Sequence, residues 1–485
     1  MGKLFFTNSY FYRYDSKQWK TKRPYPPLGT IYAASHMREL GYDVAFFDAN
    51  LIESPKEVLS ELKKSEADYF VIYDDGFNYL TKMCLTNMRH AAFDMAKAAK
   101  EMNCTVIVSS SDSTDHFESY LNNGIDYVML GEAEITLQEL IEKLDAKESV
   151  SGVKGIAFKE SNGDTRKNLK RPVLKDLDQL PQPAWDLIDV APYRAIWEGD
   201  GVPFTLNIAT TRGCPYKCNW CAKPIYGNRY NSRSPKRVVD EIEWLYNTHG
   251  VNNFWMCDDI FGLKPGWVQS FRDELQARNI KIQYKIQSRV DLLLKEDNID
   301  ALAESGLHEA WVGAESGSQK ILDAMDKGTQ VEQIYEATRI LKKKGVRVAF
   351  FLQFGYLGEE RDDIDLTLKM LTDLLPDDIG VSVSYPLPGT KFYEKVKEDL
   401  KLKSNWTDSD DLDLMFQGTF KKDFYKRLHR YVHKEYRKHQ GIESLQNLFR
   451  SPQKINASRL RSALATLYYI PAASIDKQRL KALEA

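Results

Sequence analysis

From Leu4 to Leu144 the chain alternates short apolar runs with stretches whose apolar residues recur every three or four positions. That pattern predicts parallel strands joined by helices, a doubly wound α/β sheet. Strands are expected at Leu4–Thr7, Val44–Asp48, Tyr69–Tyr73, Thr105–Ser109 and Tyr127–Leu130, and helices near Gly29–Leu40, Pro55–Lys64 and Thr81–Met102, with another after Glu132. Pro26-Pro27 and the closing Gly41 supply the entry and exit signals of the first helix. Sheets of this kind take ligands at the carboxyl ends of their strands. Asp48-Ala49-Asn50, Asp74-Asp75-Gly76, Ser109–Asp115 and Gly131-Glu132 are the loops so placed.

The pattern changes at 151–202, where a strand at Ile156–Lys159 and an Asn162-Gly163 turn predict a hairpin, followed by an extended linker around Pro181 and Pro183. A second alternating run fills 203–402. Strands are expected at Phe204–Ala209, Asn253–Met256, Ile282–Ile286, Glu309–Gly313, Arg347–Gln353 and Ile379–Ser384, each followed by a helix. Eight such units need about 250 residues, so a partial (β/α)6 barrel is the better fit. Residues 403–485 form a helical, basic extension in which Phe424, Leu428 and Val432 share one face. His429 and His433 stand one turn apart on it, without an acidic residue to complete a zinc pattern. The expected organisation is thus 1–150 Rossmann-like, 151–202 hairpin and linker, 203–402 barrel, and 403–485 helical.

Charge adds an exclusion. With 67 Lys and Arg against 69 Asp and Glu, the net charge of −2 does not describe a general polyanion binder, so no nucleic-acid partner is expected. The longest apolar stretches, such as Val348–Leu357, fall short of a membrane span, and MGKLFFTNSY does not read as a signal peptide. A cytoplasmic location is expected. Six cysteines are too few for a disulfide scaffold. Cys84, Cys104 and Cys257 sit in apolar surroundings and read as small core residues. Cys214, Cys218 and Cys221 lie within eight residues, in TTRGCPYKCNWCAKP, directly after the first barrel strand. Barrel chemistry is placed in such loops.

The spacing C-x3-C-x2-C lets one loop aim three thiolates at a common point. Zinc asks for a fourth ligand, and no second C-x2-C follows; the nearest downstream histidine, His249, ends a predicted helix. A zinc-stabilised binding module stays an alternative on these residues alone. A cubane iron–sulfur cluster ordinarily takes four thiolates. Three would leave one iron open to an exogenous ligand, a catalytic arrangement.

Cys214-x3-Cys218-x-Trp220-Cys221 resembles the signature of the radical S-adenosylmethionine (SAM) superfamily, in which an aromatic residue precedes the third cysteine. The resemblance implies a [4Fe-4S] cluster on the three cysteines. It also implies SAM chelated to the open iron and cleaved by one electron to a 5′-deoxyadenosyl radical that abstracts hydrogen from a small-molecule substrate. It places Trp220 beside the adenine of SAM. Cys257-Asp258-Asp259 stands where the family often has Gly-Gly-Glu, so Asp258 or Asp259 would meet the SAM amino group. Arg289 resembles the residue that pairs with the SAM carboxylate, and Glu315 and Ser316 the pair at its ribose and amino acid. Gly355, with Gly358, would let backbone approach the ligand.

A doubly wound domain before such a barrel resembles the cobalamin-binding class of the superfamily. The DxHxxG motif is absent, so the resemblance implies cobalamin without a histidine ligand, cradled near Ser111, Asp112 and Ser113. SDSTDHFESYLNNGIDYVMLGEAE and DDIGVSVSYPLPGTKFYEKV resemble the anaerobic magnesium-protoporphyrin IX monomethyl ester oxidative cyclase family. The expected activity is then oxygen-independent oxidative C–H functionalisation or cyclisation, fed by a one-electron donor such as flavodoxin or ferredoxin. A cobalamin-dependent C-methyltransferase is the alternative within the class.

Overall fold

The computed structural model describes residues 1–74, 76–77, 85–223, 225–295, 297–400, 406–407, 412–450 and 457–484, with side chains left out at 447–450, 457–460 and 462. Asp75, Cys84 and the start of the helix expected at Thr81 lie outside this set.

The front sheet holds β1 (Leu4–Thr7), β2 (Val44–Phe46), β3 (Tyr69–Tyr73), β4 (Thr105–Ser109), β5 (Tyr127–Met129), β6 (Ile156–Lys159) and β7 (Thr165–Lys167), in the order β2-β1-β3-β4-β5-β6-β7. The first five are parallel, as their alternation with helices requires. Leu4, Phe6, Phe70, Val71, Ile72, Val106 and Ile107 are buried because helices cover both faces. The strand order reverses between β1 and β3, and the carboxyl ends there define a crevice. β6 and β7 are the hairpin expected at Asn162-Gly163, with Gly163 at φ +89°. The hairpin joins the front sheet, because β6 pairs antiparallel with β5. The backbone edge of β5 is covered in this way.

The barrel sheet holds β8 (Leu206–Ile208), β11 (Asn253–Met256), β12 (Gln283–Ser288), β13 (Leu307–Glu315), β14 (Arg347–Phe354) and β15 (Asp378–Val383), all parallel and in the order β15-β14-β13-β12-β11-β8. A two-stranded ladder of β9 (Thr211–Arg212) and β10 (Asn231–Ser232) brackets the cysteine loop. With six strands the barrel is open between β8 and β15. A front-domain segment packs against β8 and β11: Asn207 Nδ2 donates to the Pro26 carbonyl at 3.1 Å, and the Tyr25 ring lies 4.8 Å from that of Trp255.

Side chains alternate across each barrel strand. Tyr284 stacks edge-on with Phe271 of the outer helix Trp267–Ala277, so Lys285 faces the lumen. Glu309, Trp311, Phe351 and Gly380 face it from the neighbouring strands. A Cβ on Gly380 would stand 3.3 Å from both the Trp311 and Phe351 rings, so glycine makes room for that pair.

The tail is a helical hairpin, Lys422–Arg450 and Ala457–Lys481. Phe424, Leu428 and Val432 point inward as their spacing predicts. His429 and His433 are half-buried, with rings 4.7 Å apart, and burial pushes the pKa of both down to about 4. Among the described residues no helix is long and apolar enough to cross a membrane.

Candidate active site

The cysteine loop is held from several sides. Gly213 enters it at φ +80°, and a Cβ there would sit 2.4 Å from the Arg229 carbonyl, which only glycine avoids. Asn219, between the second and third cysteines, is buried and bonded through both its backbone and its side chain. Its backbone N–H donates to Met325 O at 3.0 Å and its Nδ2 to Ala324 O at 2.7 Å. Its Oδ1 accepts from Tyr356 Oη at 2.6 Å, and its carbonyl from Phe392 N at 2.9 Å. One residue thus ties the loop to the segments after β13 and β14 through its side chain and after β15 through its carbonyl. The Lys223 ammonium closes the loop on the Tyr216 carbonyl at 2.6 Å.

Cys214, Cys218 and Cys221 are half-buried free thiols. Burial, Asp259 and the neighbouring thiols push Cys221 up to about 12, and burial raises Cys214 as well. The three cysteines belong to one loop of eight residues. Among the described residues no three His, Cys, Asp or Glu side chains close on a single ion. A cubane makes a lesser demand, because each thiolate binds a different corner iron. Three soft, partly accessible donors on one short loop fit such a group. Beside them, the Trp220 indole N–H is buried with no acceptor, an unused donor that a polar ligand there would satisfy.

Arg289 stands over the loop. Its guanidinium lies 3.8 Å from the Tyr216 ring centroid, and Nη1 lies 3.8 Å from Cys218 Sγ. Nε and Nη2 are taken by Asp291 at 2.9 and 3.2 Å. Glu315, at the end of β13, adopts φ +57°, strained for a non-glycine residue. It forms a buried ion pair with Lys327 at 2.8 Å, and the Lys327 ammonium lies 5.9 Å from the Trp220 ring. Gly313 makes this possible: a Cβ there would meet Lys327 Nζ at 2.5 Å and Glu315 Oε1 at 2.7 Å.

The structure therefore brings Trp220, Asp259, Arg289 and Glu315 to the three cysteines and directs other candidates elsewhere. Both Asp258 oxygens are spent on the backbone N–H groups of Thr210 and Thr211 and on the Thr210 hydroxyl; burial raises that carboxyl to about 7. Asp258 holds the strand end and Asp259 faces the thiols. Ser316 is fully buried against Thr367 at 3.0 Å. Gly355 has the expected positive φ, but its open side faces Tyr425 of the tail at 3.1 Å. In the front domain Asp112 is bound bidentately by Arg89 at 2.6 and 2.5 Å and accepts from Tyr120 Oη at 2.7 Å, while Ser113 completes a capping box with Ser110. Ser111 Oγ is buried with no partner at the carboxyl end of β4. Asn219, Lys327 and Arg212 were not among the expected site residues; only Asn219 carried a signal, its place between two ligands.

Arg212 joins the domains. Two residues before Cys214, it donates to Glu132 at 2.6 Å and Glu134 at 2.7 Å, with all three side chains less than a tenth exposed. The rings of Tyr32, Phe77 and Tyr226 surround it at 5.3–5.7 Å. The carboxyl edges of both sheets meet at this guanidinium.

The Radical SAM superfamily profile matches residues 208–371, from the end of β8 into the helix Arg361–Leu374 after β14. An uncharacterized methyltransferase of Pyrococcus horikoshii is 30% identical over 388 residues, 79% of this chain and 81% of that protein. The anaerobic magnesium-protoporphyrin IX monomethyl ester cyclase of Cereibacter sphaeroides is 27% identical over 391 residues, 78% of this chain and 61% of that longer protein. The solved structure of OxsB, a cobalamin-dependent SAM radical enzyme with aqua-cobalamin and SAM bound, superposes with a TM-score of 0.73 at 16% identity, over 98% of this chain and 72% of that one. The chain belongs to the radical SAM superfamily, in an architecture with a doubly wound front domain.

Proposed function

We propose that this protein is a radical SAM enzyme for oxygen-independent oxidative functionalisation or cyclisation of a C–H bond, with cobalamin in the front crevice. The observation that carries the reading is the loop of three free cysteines with Arg289 Nη1 3.8 Å from Cys218 Sγ, Asp259 acting on the thiols and the unpaired Trp220 N–H beside them. These cysteines would hold a [4Fe-4S] cluster. When bound, the cluster supplies the electron that cleaves SAM to methionine and a 5′-deoxyadenosyl radical. Arg289 is placed to exchange part of its bond with Asp291 for the SAM carboxylate, and Asp259 to take the amino group. Asn219 fixes the loop so that its thiols need not reorganise. Trp220 offers an indole edge to the adenine side. The lumen carries the aromatic side chains of Trp311, Phe351 and Trp255, against which an apolar part of a substrate could pack.

In the front domain the reversal of strand order at β1/β3 and the unpaired Ser111 hydroxyl suit a ligand rich in amide side chains. A C-methyltransferase is the second reading, favoured by the relative of that name at 30% identity. A one-electron donor such as flavodoxin or ferredoxin and a cytoplasmic location accompany either reading.

The test is anaerobic reconstitution followed by incubation with SAM and dithionite. Brown iron–sulfur absorption, about four irons per chain, loss of iron in Cys218→Ala, and release of 5′-deoxyadenosine are expected. S-adenosylhomocysteine formed alongside deoxyadenosine points to methyl transfer. Iron content unchanged in Cys218→Ala refutes the cluster assignment.

A further inference from the structure

The last helix, Ala457–Lys481, has two apolar faces where packing explains only one. Thr466, Ala473, Asp476 and Leu480 are buried, and Asp476 holds the hairpin together through Arg427 at 2.8 Å and Lys434 at 2.6 Å. On the other side Leu464 is 61% exposed, Leu467 78%, Tyr468 62% and Ile475 48%, with Pro471 also exposed. At about 100° per residue these five fall within about 60° of one line along the helix, opposite the buried set. Ile470 flanks them, 46% exposed. Five of the large apolar side chains most exposed among the described residues therefore crowd into twelve positions, 464–475, whereas scattered single exposures are ordinary.

Charge says what fits this stripe. The exposed charges on the described part of the helix are all basic: Arg461, Lys477, Arg479 and Lys481. Its one acid, Asp476, is buried. Arg461 and Arg479 lie along one flank, about 60° from Leu464, and Lys477 and Lys481 lie beyond the other. A second copy would bring cations onto cations. An anionic phospholipid surface takes an apolar stripe and its basic flanks together, with Tyr468 at headgroup depth. It also needs no shaped groove, and the stripe is a convex ridge.

We propose that the outer face of this helix docks the protein peripherally on an anionic phospholipid membrane. The inference is independent of the chemistry assigned to the barrel. The test is flotation of the full, iron–sulfur-loaded chain with vesicles of phosphatidylcholine containing about 30% phosphatidylglycerol, against phosphatidylcholine alone. At least tenfold more protein is expected to float with the anionic vesicles, and salt near 1 M should remove most of that preference. L467E/Y468E should lower flotation about tenfold or more, leaving the thermal midpoint and deoxyadenosine release unchanged. R461E/R479E should erase the anionic preference alone. Flotation that is absent, or unaffected by L467E/Y468E, overturns the proposal. So does a dimer in sedimentation that L467E/Y468E converts to monomer, which would make the stripe a contact between copies. Capture of an acidic protein without vesicle binding overturns it equally.

Discussion

Lys285 stands in the barrel lumen at a cost to stability, and Lys285→Met should make the protein more stable. Its cross-strand partner is Glu309, yet that carboxylate is already engaged: Oε1 accepts from Trp311 Nε1 at 2.8 Å and Oε2 from Arg347 Nε at 3.1 Å. The ammonium is left facing the Tyr25 and Trp255 rings at 5.4 and 5.6 Å. Burial lowers its pKa from 10.5 to about 8, against the pull of Glu309. That drop corresponds to about 3.5 kcal/mol at most, since one pKa unit is worth about 1.4 kcal/mol. The folded state gives up its proton near pH 8 and the unfolded state only near 10.5, so between those values the unfolded chain binds more protons and stability rises with pH. The penalty is complete below pH 8 and gone above about 10.5. Calorimetry of the reconstituted enzyme at pH 7 and at pH 9.5 reads this directly. At pH 7 the Met variant should melt about 5–10 °C higher, and at pH 9.5 most of the gain should have vanished. A lower midpoint in the variant would mean that Lys285 belongs to an attractive ion pair. An equal gain at both pH values would reduce the effect to the apolarity of methionine. Either result refutes the reasoning.

Arg212→Met removes the cation from two buried carboxylates and should destabilise by about 3–5 kcal/mol. Because Glu132 and Glu134 then take up protons more readily, the deficit should shrink between pH 8 and pH 5.5, measured by the same calorimetry. Asn219→Ala strips Tyr356 Oη of an acceptor and Ala324 O of a donor. It should cost about 1–3 kcal/mol and lower iron uptake on reconstitution, while Asn219→Asp, which keeps the acceptor, should fall between it and the parent. Gly313→Ala drives a methyl into the Lys327–Glu315 pair and should weaken SAM binding about tenfold or more by equilibrium dialysis. Gly152→Ala, whose Cβ would meet open space, should leave binding unchanged.

The strands were legible because burial on both faces of a parallel sheet writes itself as short apolar runs, and Asn253–Met256 and Tyr69–Tyr73 match residue for residue. The cysteine loop was legible because its three ligands are local in sequence. What could not be read was long-range. Asp258 and Asp259 are consecutive, so their side chains diverge, but which one faces the thiols depends on how the strand end meets Thr210 and Thr211. Gly355 has the backbone freedom its sequence suggests, yet the space beside it belongs to a tyrosine seventy positions later. Ser316 reads as a polar residue at a strand end, yet it is buried and hydrogen-bonded to Thr367, fifty-one positions later.

The seam between the domains follows from where each sheet leaves its unused strand ends. Parallel sheets gather loops of binding and catalysis at their carboxyl edges, so two such sheets in one chain share a site only if those edges face each other. Arg212 enforces that orientation. It lies after β8, two residues before the first cysteine, and its acceptors Glu132 and Glu134 follow β5. A buried guanidinium satisfied by one carboxylate would hold position; one forked between two carboxylates and enclosed by Tyr32, Phe77 and Tyr226 fixes direction as well. Phe77 stacks on Tyr226 at 5.5 Å, which closes the front crevice against the end of the cysteine loop. Any group held at the carboxyl ends of β3 and β4 is thereby presented to the loop of Cys214, Cys218 and Cys221. The distance between them is set by packed side chains rather than by the linker, whose Trp185 is itself bolted to Glu241 of the first barrel helix, Pro235–His249, at 2.7 Å.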